Sequence, residues 1–559
     1  MRIWVSESEN HHENLFDLKG VAVRNALSGQ QGDMHSFSVH IFTAAVFLGS
    51  LLSLFSVAEI LAQADTASQD TEYLSELEYV LYDVQASEGN SYGTLYTLDG
   101  VQMTERKFID TKSGTVSGES VTRSKGQELC MPTAECYACA VGIDHVSAHG
   151  LLTDCQRILK ANASASNRQY AVGDNIVTTI VSSAQEEAYA QLQELNGKCR
   201  WSSIVVVGSD GAVLVDAGSN GKAILDYDRS LEEYYKSGAS GRMPEPSERL
   251  YTYYEFGSCE PECIGSSFKP VTARLLALNE DKLSEEYRLG NMSFEDIPEV
   301  TVGAGTEEET LHNYDYTVPD MYPRYISLAD AFFHSSNTYF LRHAQNMGIA
   351  NYLAGLAEQF HLDQEIRTDG HTIPAMPFTA EEAGTDVRNF AEKISYGQEA
   401  RLTPVRIASL YNYIISGCWY DPFFIAQVRE PNQNVIFSAN PKEREDYHFD
   451  VDMHSDIVIN GLNETFQKYT KNSKRFEKYS DSLRYSGRIL TKSGTAEKIT
   501  GKSENHTMAL TLLDEKREHV LCTAFIAVDY YDMTIDQSLV YNDAMIDRLM
   551  QVLEKLEVF

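Results

Sequence analysis

Apolar and polar positions change rhythm several times along this chain, and each change marks an element. Ile204, Val205, Val206 and Val207, then Ala212, Val213, Leu214 and Val215, form two β-branched runs around Ser209-Asp210-Gly211, which predicts two strands joined by a tight turn. A helical stretch over residues 183–196 leads into them. Residues 508–513 and 520–528 predict a second hairpin, and Ile546, Leu549, Met550, Leu553 and Leu556 lie on one face of a closing helix. Strands at both ends with helical material between them imply one sheet that the C-terminus completes, so the fold class is α/β with a central, largely antiparallel sheet. Further upstream, residues 92–101 alternate and turn at Asp99-Gly100, the pattern of a hairpin opening an accessory α+β module that runs to about residue 170. The polar stretch over residues 279–322 reads as loop, and the chain shows no internal repeat.

One segment breaks the globular pattern. Residues 37–58 are apolar except for small and hydroxyl residues, with His40 the one titratable group, and are long enough for a helix to cross a bilayer. Arg2, Lys19 and Arg24 precede the segment, whereas no Lys or Arg follows until Arg106, which puts the N-terminus in the cytoplasm and the rest outside. Ala62-Gln63-Ala64 also resembles a cleavage site, so a long signal peptide is the alternative, and a buried core helix is a third. The expected organisation is a cytoplasmic tail (1–36), a single-pass cell-membrane anchor (37–64), an accessory or pedestal domain (65–170) and a large main domain (171–559).

Charge narrows the partners. The formal net charge of -35 over 559 residues repels phosphate backbones and argues against nucleic acid. Nine cysteines are an odd number, so intrachain bridges leave at least one thiol over. Cys130, Cys136, Cys139 and Cys155 cluster around a C-x-x-C, but their spacing is not that of a zinc finger; bridges or buried thiols are expected in an exported chain. Cys259 and Cys263 are placed to clip the loop before Ser266.

Three short motifs then follow one another: Ser266-Ser267-Phe268-Lys269, Ser335-Ser336-Asn337 and Lys492-Ser493-Gly494-Thr495. Spelling alone decides nothing, since Ser219-Asn220-Gly221-Lys222 also reads S-x-x-K and Lys112-Ser113-Gly114-Thr115 is a second K-S-G-T. Context separates them. Ser266 opens a helical run with Pro270 in its first turn, where a missing N–H does no harm, and Lys269 falls on the same face three residues on. Burial beside a second cation lowers a lysine's pKa, which lets Lys269 take the proton of a Ser266 nucleophile. Ser335 and Asn337 stand at i and i+2 of a turn, able to present a proton-relaying hydroxyl and an amide for a substrate peptide group to one cleft. Around Lys492 the chain reads as a strand. A substrate peptide can add to its edge, with Gly494 allowing close approach and Ser493 and Thr495 receiving a terminal carboxylate. The backbone N–H groups of Ser266 and Thr495 are the candidate oxyanion hole. Each segment has a plainer reading as an N-cap, a turn or a surface strand; their order, 69 and then 157 residues apart, favours convergence on one pocket.

In that order, Gly265-Ser266-Ser267-Phe268-Lys269-Pro270, Ser335-Ser336-Asn337-Thr338-Tyr339-Phe340, Tyr396-Gly397-Gln398-Glu399 with Leu402-Thr403-Pro404, and Lys492-Ser493-Gly494-Thr495-Ala496-Glu497 resemble the signature blocks of class B penicillin-binding proteins, the monofunctional transpeptidases. The chain departs from the usual pattern at Ile264, where a proline is common, and at Glu399, which ends a Gly-Gln-Gly block. The resemblance implies a penicillin-binding and serine β-lactamase-like transpeptidase domain. It further implies an acyl-enzyme at Ser266 formed from D-Ala-D-Ala stem peptides of peptidoglycan or from β-lactams, and no metal or organic cofactor. By the same resemblance, the partners are a polytopic membrane glycosyltransferase and the division or elongation machinery. Hydrolytic alternatives are a D,D-carboxypeptidase or a β-lactamase; non-enzymatic ones are a β-lactam receptor or a cell-wall scaffold.

Overall fold

A computed structural model describes residues 92–110, 115–117, 127–142, 150–159, 173–237, 261–303, 308–313, 324–369, 371–499, 503–531 and 537–558. The segment at 37–58, the second K-S-G-T at Lys112 and Cys259 lie outside them; among the described residues no helix is long and apolar enough to cross a membrane.

In chain order the elements that build the main domain are α1 (Ser182–Gln193), β1 (Trp201–Gly208), β2 (Val213–Gly218), α2 (Lys269–Leu278), α3 (Leu328–Phe333), α4 (Asn337–Met347), α5 (Pro404–Ser416), α6 (Ile457–Thr470), β3 (Ile489–Ile499), β4 (Ser503–Leu513), β5 (Val520–Tyr531) and α7 (Asn542–Glu554). The strands form one antiparallel sheet ordered β3-β4-β5-β1-β2, so the C-terminal strands insert against the early hairpin as the sequence predicts. Strand alternation sorts the core. Ile204 and Val206 point to a layer with Ala184, Leu192, Leu549 and Leu553, while Val205 and Val207 point to the opposite layer with Phe268, Ala408 and Ile415. Each β-branched residue is thus buried on one side or the other, which explains the unbroken apolar run.

The first described segments do not stand apart from this domain. The turn at Asp99-Gly100 forms, with Thr97 donating to Val101 and Gly100 to Thr97. Its strand Leu95–Tyr96 pairs in parallel with Asn175–Thr178, which in turn pairs with Ile425–Arg429 and through it Val435–Ser438. A separate antiparallel ladder of Thr104–Asp110, Thr115–Ser117 and Gln127–Pro132 packs under the helix Gly221–Lys236 through Leu129, Met131, Ile224 and Leu231.

One expectation changes. The polar stretch 279–322 is not simply loop, for it contains a ladder of Glu299–Val302 with Glu309–His312 and a strand at Phe294–Glu295 that pairs with Tyr325–Ile326. Its anchors are single buried residues, Leu289, Phe294 and Val302, too widely spaced to give a periodic signal. Cys136 and Cys155, expected in bridges or as buried thiols, are buried free thiols, and burial raises the pKa of both.

Candidate active site

The candidate nucleophile Ser266 stands on a turn tighter than the sequence suggests. Gly265–Phe268 is a 3-10 turn that runs into α2, so Ser266 precedes the α-helix rather than capping it. Three residues per turn stack positions i and i+3 directly, which brings Lys269 Nζ to 2.8 Å from Ser266 Oγ. The turn is gripped from two sides. Gly494 of β3 is packed so closely that an added Cβ would lie 2.4 Å from the Ile264 carbonyl oxygen and 2.7 Å from the Ser267 nitrogen. Its smallness therefore admits the nucleophile's own backbone, a role the sequence had given to a ligand. Gly397, with φ near +93°, is pressed on the Gly265 carbonyl, and Ile264 donates to Ala400 at 3.1 Å. Hydroxyls finish the grip: Thr507 Oγ1 lies 2.8 Å from both Ser267 Oγ and the Ile264 carbonyl, and Tyr411 donates to the Ser267 carbonyl at 2.6 Å.

Ser335-Ser336-Asn337 makes the turn between α3 and α4. Ser335 has φ near +54°, a left-handed conformation that a serine adopts only under constraint. The constraint comes from buried Ser336, whose hydroxyl accepts from Tyr339 N at 3.0 Å and donates to Asp296 Oδ2 at 2.5 Å. Thr338 donates to the other oxygen of Asp296 at 2.8 Å, and Asn313 Oδ1 accepts from the backbone of Asn337 at 2.7 Å and of Thr338 at 3.1 Å. Ser335 and Asn337 are left facing Lys269: Nζ lies 2.6 Å from the Ser335 carbonyl, 3.1 Å from Ser335 Oγ and 2.8 Å from Asn337 Oδ1.

Lys492 enters from the edge strand β3. Its Nζ donates to Ser335 Oγ at 3.1 Å and to the Ser493 carbonyl at 2.7 Å, so Ser335 Oγ bridges the two lysines. Ser493 Oγ pairs with Tyr469 of α6 at 2.9 Å, and Thr495 is exposed beside the Gly265 turn. Both lysines are fully buried. Desolvation, then the charge of Lys492, holds Lys269 well below the usual lysine range; the Asp296 carboxylate opposes this. Burial alone pushes Lys492 down to about 7.

The structure therefore brings Ser266, Lys269, Ser335, Asn337 and Lys492 into one hydrogen-bonded cluster, with Ser493, Gly494 and Thr495 on the adjoining strand. Sequence reasoning missed Asp296, Asn313, Tyr469 and Thr507, which hold this cluster from behind. A single buried Asp within a polar stretch carries no local signal, although Thr507 immediately precedes the strand predicted over 508–513.

Comparison with known proteins bears on this geometry. The family model "Penicillin binding protein transpeptidase domain" matches residues 212–525, a span from just before β2 into β5 that contains the Ser266, Ser335, Tyr396 and Lys492 blocks. The chain belongs to this family. Among solved structures, penicillin-binding protein A from M. tuberculosis in its penicillin G acyl-enzyme complex is 17% identical, with a TM-score of 0.60, covering 84% of this chain and 100% of that one. The D,D-transpeptidase domain of a peptidoglycan glycosyltransferase from Eggerthella lenta is 18% identical at a TM-score of 0.57, covering 84% and 99%. Penicillin-binding protein 3 from M. tuberculosis complexed with aztreonam is 16% identical at 0.55, covering 84% and 96%. At these identities the likeness establishes the fold. No curated protein sequence matches.

Proposed function

We propose that this penicillin-binding protein is a D,D-transpeptidase that crosslinks peptidoglycan stem peptides ending in D-Ala-D-Ala, through an acyl-enzyme on Ser266, and that β-lactams acylate the same oxygen. The observation that carries the reading is the chain Ser266 Oγ, Lys269 Nζ, Ser335 Oγ, Lys492 Nζ, each link 2.8 to 3.1 Å long. Neutral Lys269 accepts the Ser266 proton as Oγ bonds to the penultimate D-Ala carbonyl carbon. The oxyanion forms against the N–H groups of Ser266 and Thr495. Collapse breaks the C–N bond, and Ser335 relays the proton held by Lys269 to the departing D-Ala nitrogen while Lys492 stabilises the hydroxyl through its charge. An amine from a second stem then attacks the ester and regenerates Ser266. Asn337 holds Lys269 on one side and offers its amide to the substrate, while the stem peptide adds along the edge of β3 and its carboxylate meets Ser493 and Thr495.

The apolar segment at 37–58 supports an N-terminal membrane anchor with the catalytic domain outside the membrane, where peptidoglycan lies. The family resemblance supports a polytopic glycosyltransferase and division or elongation proteins as partners. The full chain in detergent, given a D-Ala-D-Ala stem peptide and an amine acceptor, is expected to yield by mass spectrometry a peptide that has lost D-Ala and gained the acceptor. Release of D-Ala with no acceptor incorporated would instead identify a carboxypeptidase, and neither product would refute acyl transfer.

A further inference from the structure

Past the C-terminal end of α5, three side chains of different chemistry converge. Cys418 follows the last turn of the helix, and Glu443 and His448 lie on a loop folded against it. His448 Nδ1 is 3.7 Å from Cys418 Sγ and 2.7 Å from Glu443 Oε1, and one donor atom from each residue lies within 4.8 Å of the other two. On the other side of the ring, the Asp450 carboxylate is 3.6 Å from Nε2.

The backbone that presents these groups is pinned independently of them. Phe449 donates to Gly417 at 3.0 Å and Arg444 to Trp419 at 2.9 Å, while the Arg444 guanidinium holds Asp421 at 2.6 and 2.9 Å. Gly417, with φ near +78°, lets the two segments touch: an added Cβ would lie 1.9 Å from the Phe449 carbonyl oxygen. An exposed His-Glu pair is ordinary; a thiol directed at the same ring nitrogen is not part of such a pair. The sulfur–nitrogen spacing is close to the roughly 3.5 Å expected across a tetrahedral centre with a metal–sulfur bond of about 2.3 Å and a metal–nitrogen bond of about 2.0 Å. Glu443, 29% exposed at its side chain, has room to swing from its hydrogen bond on Nδ1 to a ligand position.

We propose that Cys418, Glu443 and His448 bind a divalent cation of the zinc class, with water as the fourth ligand. Thiolate and imidazole donors select this class over calcium or magnesium. A second triad, Asp514, Glu518 and His519, has no sulfur, and its Asp514 Oδ1 already accepts the backbone N–H groups of Glu518 and His519, so a capped turn accounts for it. The bound ion clips the 443–450 loop to α5, the helix whose Tyr411 holds the nucleophile turn from behind. This site stands whether or not Ser266 acylates.

The full-length chain, stripped with a chelator and refilled, is titrated with Zn(II) against a chromophoric chelator and with Co(II) by absorption. One tight equivalent is expected, with a thiolate-to-cobalt charge-transfer band in the near ultraviolet. The band disappears in Cys418→Ser, affinity falls at least about tenfold in Cys418→Ser and His448→Ala, and His519→Ala leaves both unchanged. Circular dichroism of the metal-free variants establishes that they fold, and Glu443→Gln provides a milder variant with a partial loss. Absence of a tight equivalent in the wild type, wild-type affinity in Cys418→Ser, or loss on His519→Ala instead overturns the proposal.

Discussion

Lys269 faces four oxygens with at most three N–H bonds to give. As a neutral amine it can give two N–H groups to the Ser335 carbonyl and Asn337 Oδ1 and turn its lone pair to the hydroxyl of Ser266. Burial and the neighbouring Lys492 favour that state. The sign of the pH dependence follows. Acylation rises with pH as Lys269 sheds its proton, and falls above neutrality as Lys492, near 7, loses the charge that steadies the Ser335 hydroxyl and makes the pocket attractive to a substrate carboxylate. Second-order acylation rates should show both limbs with a penicillin carboxylate and a much weaker alkaline limb with its methyl ester; identical profiles would speak against this role for Lys492. A Lys492→Met variant removes a buried ammonium, so its stability at pH 7 is expected to rise by about 1 kcal/mol while acylation collapses, as urea unfolding and labelling rates would show. Asp296 is the residue-scale brace of the Ser335 turn. Asp296→Asn puts an amide donor where Ser336 and Thr338 both donate, and is expected to cost about 1–3 kcal/mol in urea unfolding and about 10²-fold in acylation rate. An unchanged acylation rate would remove Asp296 from the account.

Between elements, the tightest tolerances lie where the nucleophile turn meets β3 and the Tyr396-Gly397 turn. Gly494→Ala sets a methyl group against the Ile264 carbonyl and Thr507, and is expected to destabilise the chain by about 1–3 kcal/mol and slow acylation. Denaturation at wild-type stability would contradict the packing described. This scale also shows what the sequence could convey. Ser266, Lys269, Ser335, Asn337 and Lys492 were legible because each motif is local and their order is distinctive. Asp296, Asn313 and Tyr469 were not, because each acts across a contact joining remote segments. Likewise, a 3-10 turn and an α-helix N-terminus share one spelling in Gly265-Ser266-Ser267-Phe268; only the packing of Gly494 and Gly397 tells them apart.

Across the whole molecule, the sheet carries the site. β1 and β5 are central and buried on both faces, β3 is an edge strand, and the hairpins and closing helix were readable from periodicity alone. The pairing of Leu95–Tyr96 and Asn175–Thr178 with Ile425–Arg429 was not, since strands this short give no register signal. Amides of β4, β5 and β1 are expected to exchange slowest with deuterium, and those of the 104–132 ladder, which adds few layers to the core, much faster; uniform exchange would deny the sheet this role. Convergence of three remote segments on one oxygen is tested most directly by treating the full chain with penicillin and mapping the adduct by peptide mass spectrometry. A single adduct on the peptide bearing Ser266, absent in Ser266→Ala and strongly slowed in Lys269→Met, is the predicted result; a folded wild type with no adduct, or one that survives in Ser266→Ala, would contradict it.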